Sequence, residues 1–213
     1  METMTLSQMM RISLAMPLLL VLSTLVLGQA IERCYVFFFT QKLPTELWDR
    51  VRFCLKRGDV TGALAVCGQH PGVMSHAFAR ILTLQLHTTE SIVEAFQLYR
   101  HKLQMDLSRR LGLFGTASFV SPLIGLMGTV LGIMRAFHDL AKAGAGGPAV
   151  VAAGISEALV ATAAGIGVAV FSAILYNYFT LTVRHRMGTV DLWIYELAQI
   201  MTQGREPKPT DPG

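Results

Sequence analysis

The sequence predicts an all-α membrane protein with three transmembrane helices and a helical cytoplasmic domain. Of its 213 residues, 52% are apolar and only 15% are charged, which excludes disordered chains, collagen-like chains and small disulfide scaffolds. Three apolar stretches can each cross a bilayer, because a spanning helix needs about 20 mostly apolar residues. The predicted order is an outer N-terminus (1–11), first span and interface (12–39), cytoplasmic helical segment (40–110), second span (111–135), outer loop (136–148), third span (149–183), cytoplasmic helix (184–203) and disordered tail (204–213).

The first span contains no charge from Ile12 to Ile31, and two readings of it remain open. Residues 27–30, Leu-Gly-Gln-Ala, would be tolerated as a cleavage site, so the stretch could be a secretory signal. The aromatic run that follows favours a helix that leaves the bilayer through its interface. Glu32 and Arg33 lie at this boundary, where we expect them to anchor the helix by pairing or by binding lipid.

The distribution of Lys and Arg sets the orientation of the chain. Eleven of these residues lie between Arg33 and Arg110, and four more follow the third span. Only Arg11 precedes the first span, and only Arg135 and Lys142 surround the second connection. Because cytoplasmic loops are enriched in Lys and Arg, the long segment and the tail are predicted to lie inside.

The cytoplasmic segment is predicted to form a series of helices, because residues that typically start and end helices recur along it. Thr45 is predicted to cap a first helix that Gly58 ends, and Asp59 to open a short second helix that Gly68 and Pro71 close. A third helix is predicted from Val73 to Leu86. Ser91 and Glu94 fit a capping box, and no Gly or Pro follows before Gly112. The last helix is therefore predicted to run unbroken into the second span.

The residues that usually carry metal or covalent chemistry form no pattern. Three irregularly spaced cysteines, which we interpret as free thiols in a reducing compartment, give neither a disulfide framework nor a zinc site. The six histidines lack ligand spacing, and no serine lies in a nucleophile turn. The basic residues form no stripe with interleaved aromatics. No catalytic residue, metal, cofactor or nucleic-acid partner is therefore predicted.

Glu157 is the one acidic or basic residue of the third span, about 10 Å below the start of the predicted helix. A charged carboxylate there costs several kcal/mol unless water, a partner or a proton accompanies it. We therefore expect it to face a protein interior or cavity and to take up and release a proton near neutral pH. The alternative is a permanently neutral acid that donates a hydrogen bond between helices.

Small and hydroxylated residues surround Glu157 in the sequence. Glycines allow membrane helices to approach closely, and packing is their expected role at Gly125, Gly128, Gly132, Gly154 and Gly165. Thr129 and Thr162 either bond a carbonyl of their own helix or line a passage with Glu157. About 140° separates Glu157 from Thr162 on an ideal helix, so only a wide lumen could be lined by both.

Two segments carry a family resemblance. Residues 125–134, Gly-Leu-Met-Gly-Thr-Val-Leu-Gly-Ile-Met, and 154–163, Gly-Ile-Ser-Glu-Ala-Leu-Val-Ala-Thr-Ala, resemble the MotA/TolQ/ExbB proton-channel family, and its ExbB and TolQ branch more than flagellar MotA. The specific match covers roughly 111–183 and includes Tyr176-Asn177. Ser156 departs from the family, which commonly has alanine there, and the cytoplasmic segment matches only in length and helical character.

The resemblance implies a pentamer of three-span subunits in a bacterial inner membrane, and the Lys and Arg distribution then predicts a periplasmic N-terminus and a cytoplasmic C-terminus. The pentamer would enclose the helices of an ExbD- or TolR-like single-span dimer. Glu157, Thr129 and Thr162 would line the lumen beside an aspartate of that partner, and ion flow would drive rotation and transmit force. A passive scaffold that anchors a cytoplasmic domain is the alternative. The choice between H⁺ and Na⁺ and the process that is powered stay open.

Overall fold

The computed structural model describes residues 15–40, 43–84, 86, 88–143 and 148–203. Its α-helices are α1 (Ala15–Tyr35), α2 (Thr45–Lys56), α3 (Val60–Gln69), α4 (Val73–Thr83), α5 (Thr89–Ser108), α6 (Gly112–Ala143) and α7 (Pro148–Gln203), with a π-helical turn at Val36–Thr40. The all-α prediction is confirmed for this part of the chain. The predicted outer N-terminus and disordered tail lie outside the described residues, as do residues 144–147 of the predicted outer loop.

Three helical stretches are long and apolar enough to cross a membrane: Ala15–Phe38, Gly112–Ala141 and Val151–Thr202. Two helix ends differ from the expected ones. Helix α6 continues through Arg135 to Ala143, where we expected a loop from residue 136. The third spanning helix and the cytoplasmic helix, predicted as separate segments at 149–183 and 184–203, form the single helix α7. Hydropathy shows where charged residues begin, but charged residues can continue a helix. The helices therefore extend beyond the apolar stretches.

The chain divides into two compact units, and the first, the spanning unit, contains residues up to Phe38 and from Arg110 to Thr180. In it α1 packs against α6. The buried residues of α1 lie three, four or seven positions apart, so they form one face of the helix; they are Ala15, Leu19, Val26, Ala30 and Arg33. The ring of Phe179 packs between those of Phe37 and Phe114, at 5.1 and 5.8 Å.

The second unit contains residues 39–109 and 181–213. Helices α2 to α5 share a core with the end of α7, where Trp48 stacks on Trp193 with ring centroids 5.7 Å apart. Arg100 donates two hydrogen bonds to Asp191, at 2.6 and 2.9 Å. These bonds raise the pKa of the Arg100 guanidinium. The unit is therefore held by an apolar core with a bidentate ion pair at its edge.

Two of the predicted helix starts are wrong in their capping residue. Thr45 is the first residue of α2, and Pro44 occupies the cap position without a side-chain bond. Thr88, rather than Ser91, caps α5 by accepting a hydrogen bond from the Ser91 amide at 3.2 Å. Asp59 caps α3 as predicted, since its carboxylate accepts a bond from the Gly62 amide at 2.7 Å.

The prediction of an unbroken helix into the second span is also wrong. Helix α5 ends at Ser108, and α6 begins only at Gly112. Between them Arg110 has a φ of +63°, a left-handed conformation that non-glycine residues rarely adopt. The chain therefore turns without the glycine or proline that usually signals a turn.

Cys67 provides a test of the core of the second unit. Burial raises the pKa of its thiol to about 11, from an ordinary value of 9.0. We therefore expect an alkylating reagent at neutral pH to modify the half-buried Cys54 before Cys67. The unfolded thiol loses its proton first as the pH rises, so the free energy of unfolding should fall between about pH 9 and 11. Equal modification of both thiols in the folded chain would contradict this core.

Candidate functional site

Helices α6 and α7 form an antiparallel pair whose backbones approach closely at small residues. A Cβ built on Gly132 would lie 2.8 Å from the Cβ of Ala158, and one built on Gly154 would lie 2.5 Å from the Cβ of Ala136. Real Cβ atoms do not approach this closely, so each contact requires glycine. Two Gly-x-x-x-Ala segments therefore meet face to face, as in close membrane helix pairs.

The same contact continues toward the other end of the pair. A Cβ on Gly165 would lie 2.6 Å from the carbonyl oxygen of Ser121, and one on Gly125 would lie 3.0 Å from the Cα of Thr162. Gly128, between the contacts of Gly125 and Gly132 on α6, is buried as well. The helix-packing interpretation of the glycines thus agrees with the distances at Gly125, Gly132, Gly154 and Gly165.

Glu157 lies immediately before Ala158 and about 14 Å from the start of α7 at Pro148. Its side chain is partly buried, and its Oε1 atom is buried without a hydrogen-bond partner among the described residues. An unpaired buried carboxylate oxygen is costly, and more so when the group is charged. The site therefore suits a group that binds a cation or a proton supplied from outside the single chain.

The two threonines differ in what their hydroxyls bind. Thr129 donates to the carbonyl of Leu126 in its own helix at 2.6 Å. Thr162 donates across the helix pair to the carbonyl of Gly125 at 3.0 Å. On ideal helices both threonines lie on one flank of the contact between α6 and α7, and Glu157 lies on the other. Within one chain, Glu157 and these hydroxyls are not brought together.

Glu32 and Arg33 form part of an ion-pair network in the spanning unit. The carboxylate of Glu32 accepts hydrogen bonds from Arg33 at 2.7 Å and from Arg110 at 2.8 Å. It also accepts one from the side-chain amide of Gln29 at 2.7 Å. Arg33 is only 4% exposed. Glu32 and Arg33 therefore pair, as one of the two expected anchoring roles requires. The bond to Arg110 joins α1 to the residues just before α6.

Sequence reasoning missed two members of the site. Ala136, which we placed in the outer loop, contacts Gly154. Arg135, which we took as the end of the span, lies within about 3 Å of the height of Glu157 in the register of the helix pair. The four-residue spacing of Gly132 and Ala136, repeated by Gly154 and Ala158, could have predicted that the helix contact extends to residues 135 and 136. Among the described residues, no cluster of His, Cys, Asp and Glu could hold a metal ion.

Comparison with known proteins agrees with this geometry. The chain is 35% identical over 164 residues to an ExbB-like biopolymer transport protein of Synechocystis, covering 76% of this chain and 78% of the relative. An ExbB homologue of Methanothermobacter thermautotrophicus is 28% identical over 182 residues; the match covers 82% of this chain but only 64% of that protein. The structure of Campylobacter (C. jejuni) MotAB has the same fold, with a TM-score of 0.61 at 18% identity over 96% of this chain and 80% of that one.

The family described as the MotA/TolQ/ExbB proton channel family matches residues 70–191, more than half of the chain. This range includes the four glycine contacts and Glu157, and it extends into the second unit on both sides. The chain is therefore a membrane protein that belongs to the MotA/TolQ/ExbB proton channel family.

Proposed function

We propose that this chain is an ExbB- or TolQ-like subunit of an ion-driven motor in a bacterial inner membrane. The observation that carries the proposal is the Oε1 atom of Glu157, buried without a hydrogen-bond partner among the described residues of a spanning helix. A proton that reaches this carboxylate would neutralise it, and its departure would restore the charge. Protons are the favoured ion because a single carboxylate carries the charge change.

Self-association is the second part of the proposal. One chain offers Glu157 a single helix pair, which does not enclose a water path. The spanning helices also expose large apolar side chains that lipid or neighbouring subunits can cover, among them Phe119, Leu126, Leu159 and Ile174. We propose a homopentamer on the basis of the family resemblance. Its lumen must be wide enough to reach both flanks of the α6–α7 pair if Thr129 and Thr162 share the ion pathway with Glu157.

The partner is proposed to be an ExbD- or TolR-like dimer of single-span proteins that supplies a membrane aspartate. Each proton that crosses releases about 2.3 kcal/mol per 100 mV. That amount biases a conformational step without unfolding a stable domain. Rotation of the ring about the partner would then transmit force to a target outside the membrane. The proposed orientation has a periplasmic N-terminus and a cytoplasmic C-terminus, with lipid around the ring.

The alternative function is a passive scaffold that anchors the second unit to the membrane. Reconstitution of the chain with its single-span partner in liposomes distinguishes the two. The motor predicts that an imposed proton gradient produces proton flux that requires both proteins. A scaffold predicts the leak of empty liposomes under every gradient, and that result would reject the proposed function.

A further inference from the structure

The two contact segments of the helix pair have matching spacing, and each carries a charged residue. Arg135 precedes Ala136 on α6, and Glu157 precedes Ala158 on α7. Because each glycine meets the alanine of the other helix, an approximate twofold axis relates the two segments. Equivalent positions on such a pair project on the same flank. The guanidinium and the carboxylate therefore share one flank.

The two charged residues also lie at nearly the same height. The contact pairs place the Cα atoms of Arg135 and Glu157 within about 3 Å of each other along the helix axes. Helix α6 continues to Ala143 beyond Arg135, and α7 begins at Pro148 before Glu157. Both residues are thus roughly 12 Å or more from the end of the pair. If Glu157 lies within the bilayer, Arg135 lies there too.

Few other ionisable groups of the described residues face this level. His138 and Asp139 lie about one turn further out on α6, and both are exposed like Arg135. The packed stretch of α1 from Ala15 to Ile31 has no ionisable side chain, and α7 has only Glu157 between Val151 and Leu175. An exposed guanidinium at this depth requires water or another chain beside it. The shared flank is therefore the side of the pair that the assembly covers or hydrates.

We infer that Arg135 is a positioning residue that holds the charged Glu157 carboxylate on this flank until an ion arrives. The inference rests on the proposed function. An incoming proton binds the carboxylate and removes its attraction to the guanidinium, so the neutral side chain is free to turn toward the partner. Loss of the proton restores this attraction. Arg135 takes no part in proton transfer itself.

Infrared spectroscopy of the full-length chain in lipid bilayers, with Glu157→Gln to assign the carboxyl band, tests this inference. In Arg135→Gln we expect the ratio of protonated to charged Glu157 at a fixed pH to rise about tenfold, the effect of removing one nearby charge. In Arg135→Lys the ratio should stay within about twofold of the unmodified chain, because the charge is kept. Arg184→Gln, an exposed cation of the second unit, should leave it unchanged.

The outcomes separate the two proposals. If Glu157 titrates in the unmodified chain and Arg135→Gln leaves its titration unchanged, the role of Arg135 is wrong and the proposed function stands. If Glu157 never titrates in the unmodified chain, both are wrong.

Should Arg135→Gln fail to insert, Arg135→Cys in a chain whose other cysteines are replaced by serine can be modified in the membrane with a cationic or a neutral reagent. Equal titration after both reagents would also overturn the inference.

Discussion

Glu157→Gln is expected to reduce proton flux through the reconstituted complex to the leak of empty liposomes. Glutamine keeps the size and polarity of the side chain but cannot gain or lose a proton at this position. The described residues of the α6 and α7 spans offer no second carboxylate at this depth, so no neighbouring group can replace it. Flux is measured with a pH-sensitive dye inside the liposomes under an imposed gradient.

The matched control is Glu157→Asp, which keeps a titratable group and should retain part of the flux. Both variants should insert and assemble like the unmodified chain, because Glu157 Oε1 has no hydrogen bond among the described residues that either change would break. Full flux in the glutamine variant would remove the titratable carboxylate from the mechanism and would contradict the proposed role of Glu157.

Gly165→Ala is expected to destabilise the helix pair by about 1–3 kcal/mol, the usual cost of overpacking a close contact. The added methyl would lie 2.6 Å from the Ser121 carbonyl oxygen and 3.1 Å from the Cα of Gly125. Both are backbone atoms, so neither can turn aside as a flexible side chain could. The helices would have to separate, which also lengthens the hydrogen bond from Thr162 to Gly125.

Gly167→Ala is the matched control, because nothing lies within 4 Å of a Cβ at that position of the same helix. Alanine there should be neutral or slightly stabilising, since it is the better helix former. The free energy of unfolding of each variant is measured by denaturant titration in detergent. Equal stability of the two variants would contradict the close packing of α6 on α7.

The sequence was sufficient for the three candidate spans and for singling out Glu157 as the carboxylate of the third, because both follow from the cost of charge and length in a bilayer. The break between α5 and α6 could not be predicted in the same way. Arg110 adopts a left-handed conformation that usually belongs to glycine, and its ion pair with Glu32 joins residues 78 positions apart. A contact between such distant residues leaves no local pattern.

The neighbours of Glu157 illustrate the same limit. Periodicity identified the small residues, but only the register of the helix pair places Gly154 against Ala136. That register moves Arg135 from the expected end of the span to the height of Glu157. The bond from Thr162 to α6 was also unforeseen, since most membrane threonines bond within their own helix.

The glycine contacts limit how α6 and α7 can move against each other. Within the spanning unit, α6 and the facing part of α7 touch through backbone atoms at several successive turns and cannot slide past one another without collision, so these two stretches should move as a single rigid body. Under the proposed motor function, movement would therefore occur where this pair meets other helices, at exposed apolar side chains such as Phe119 and Ile174.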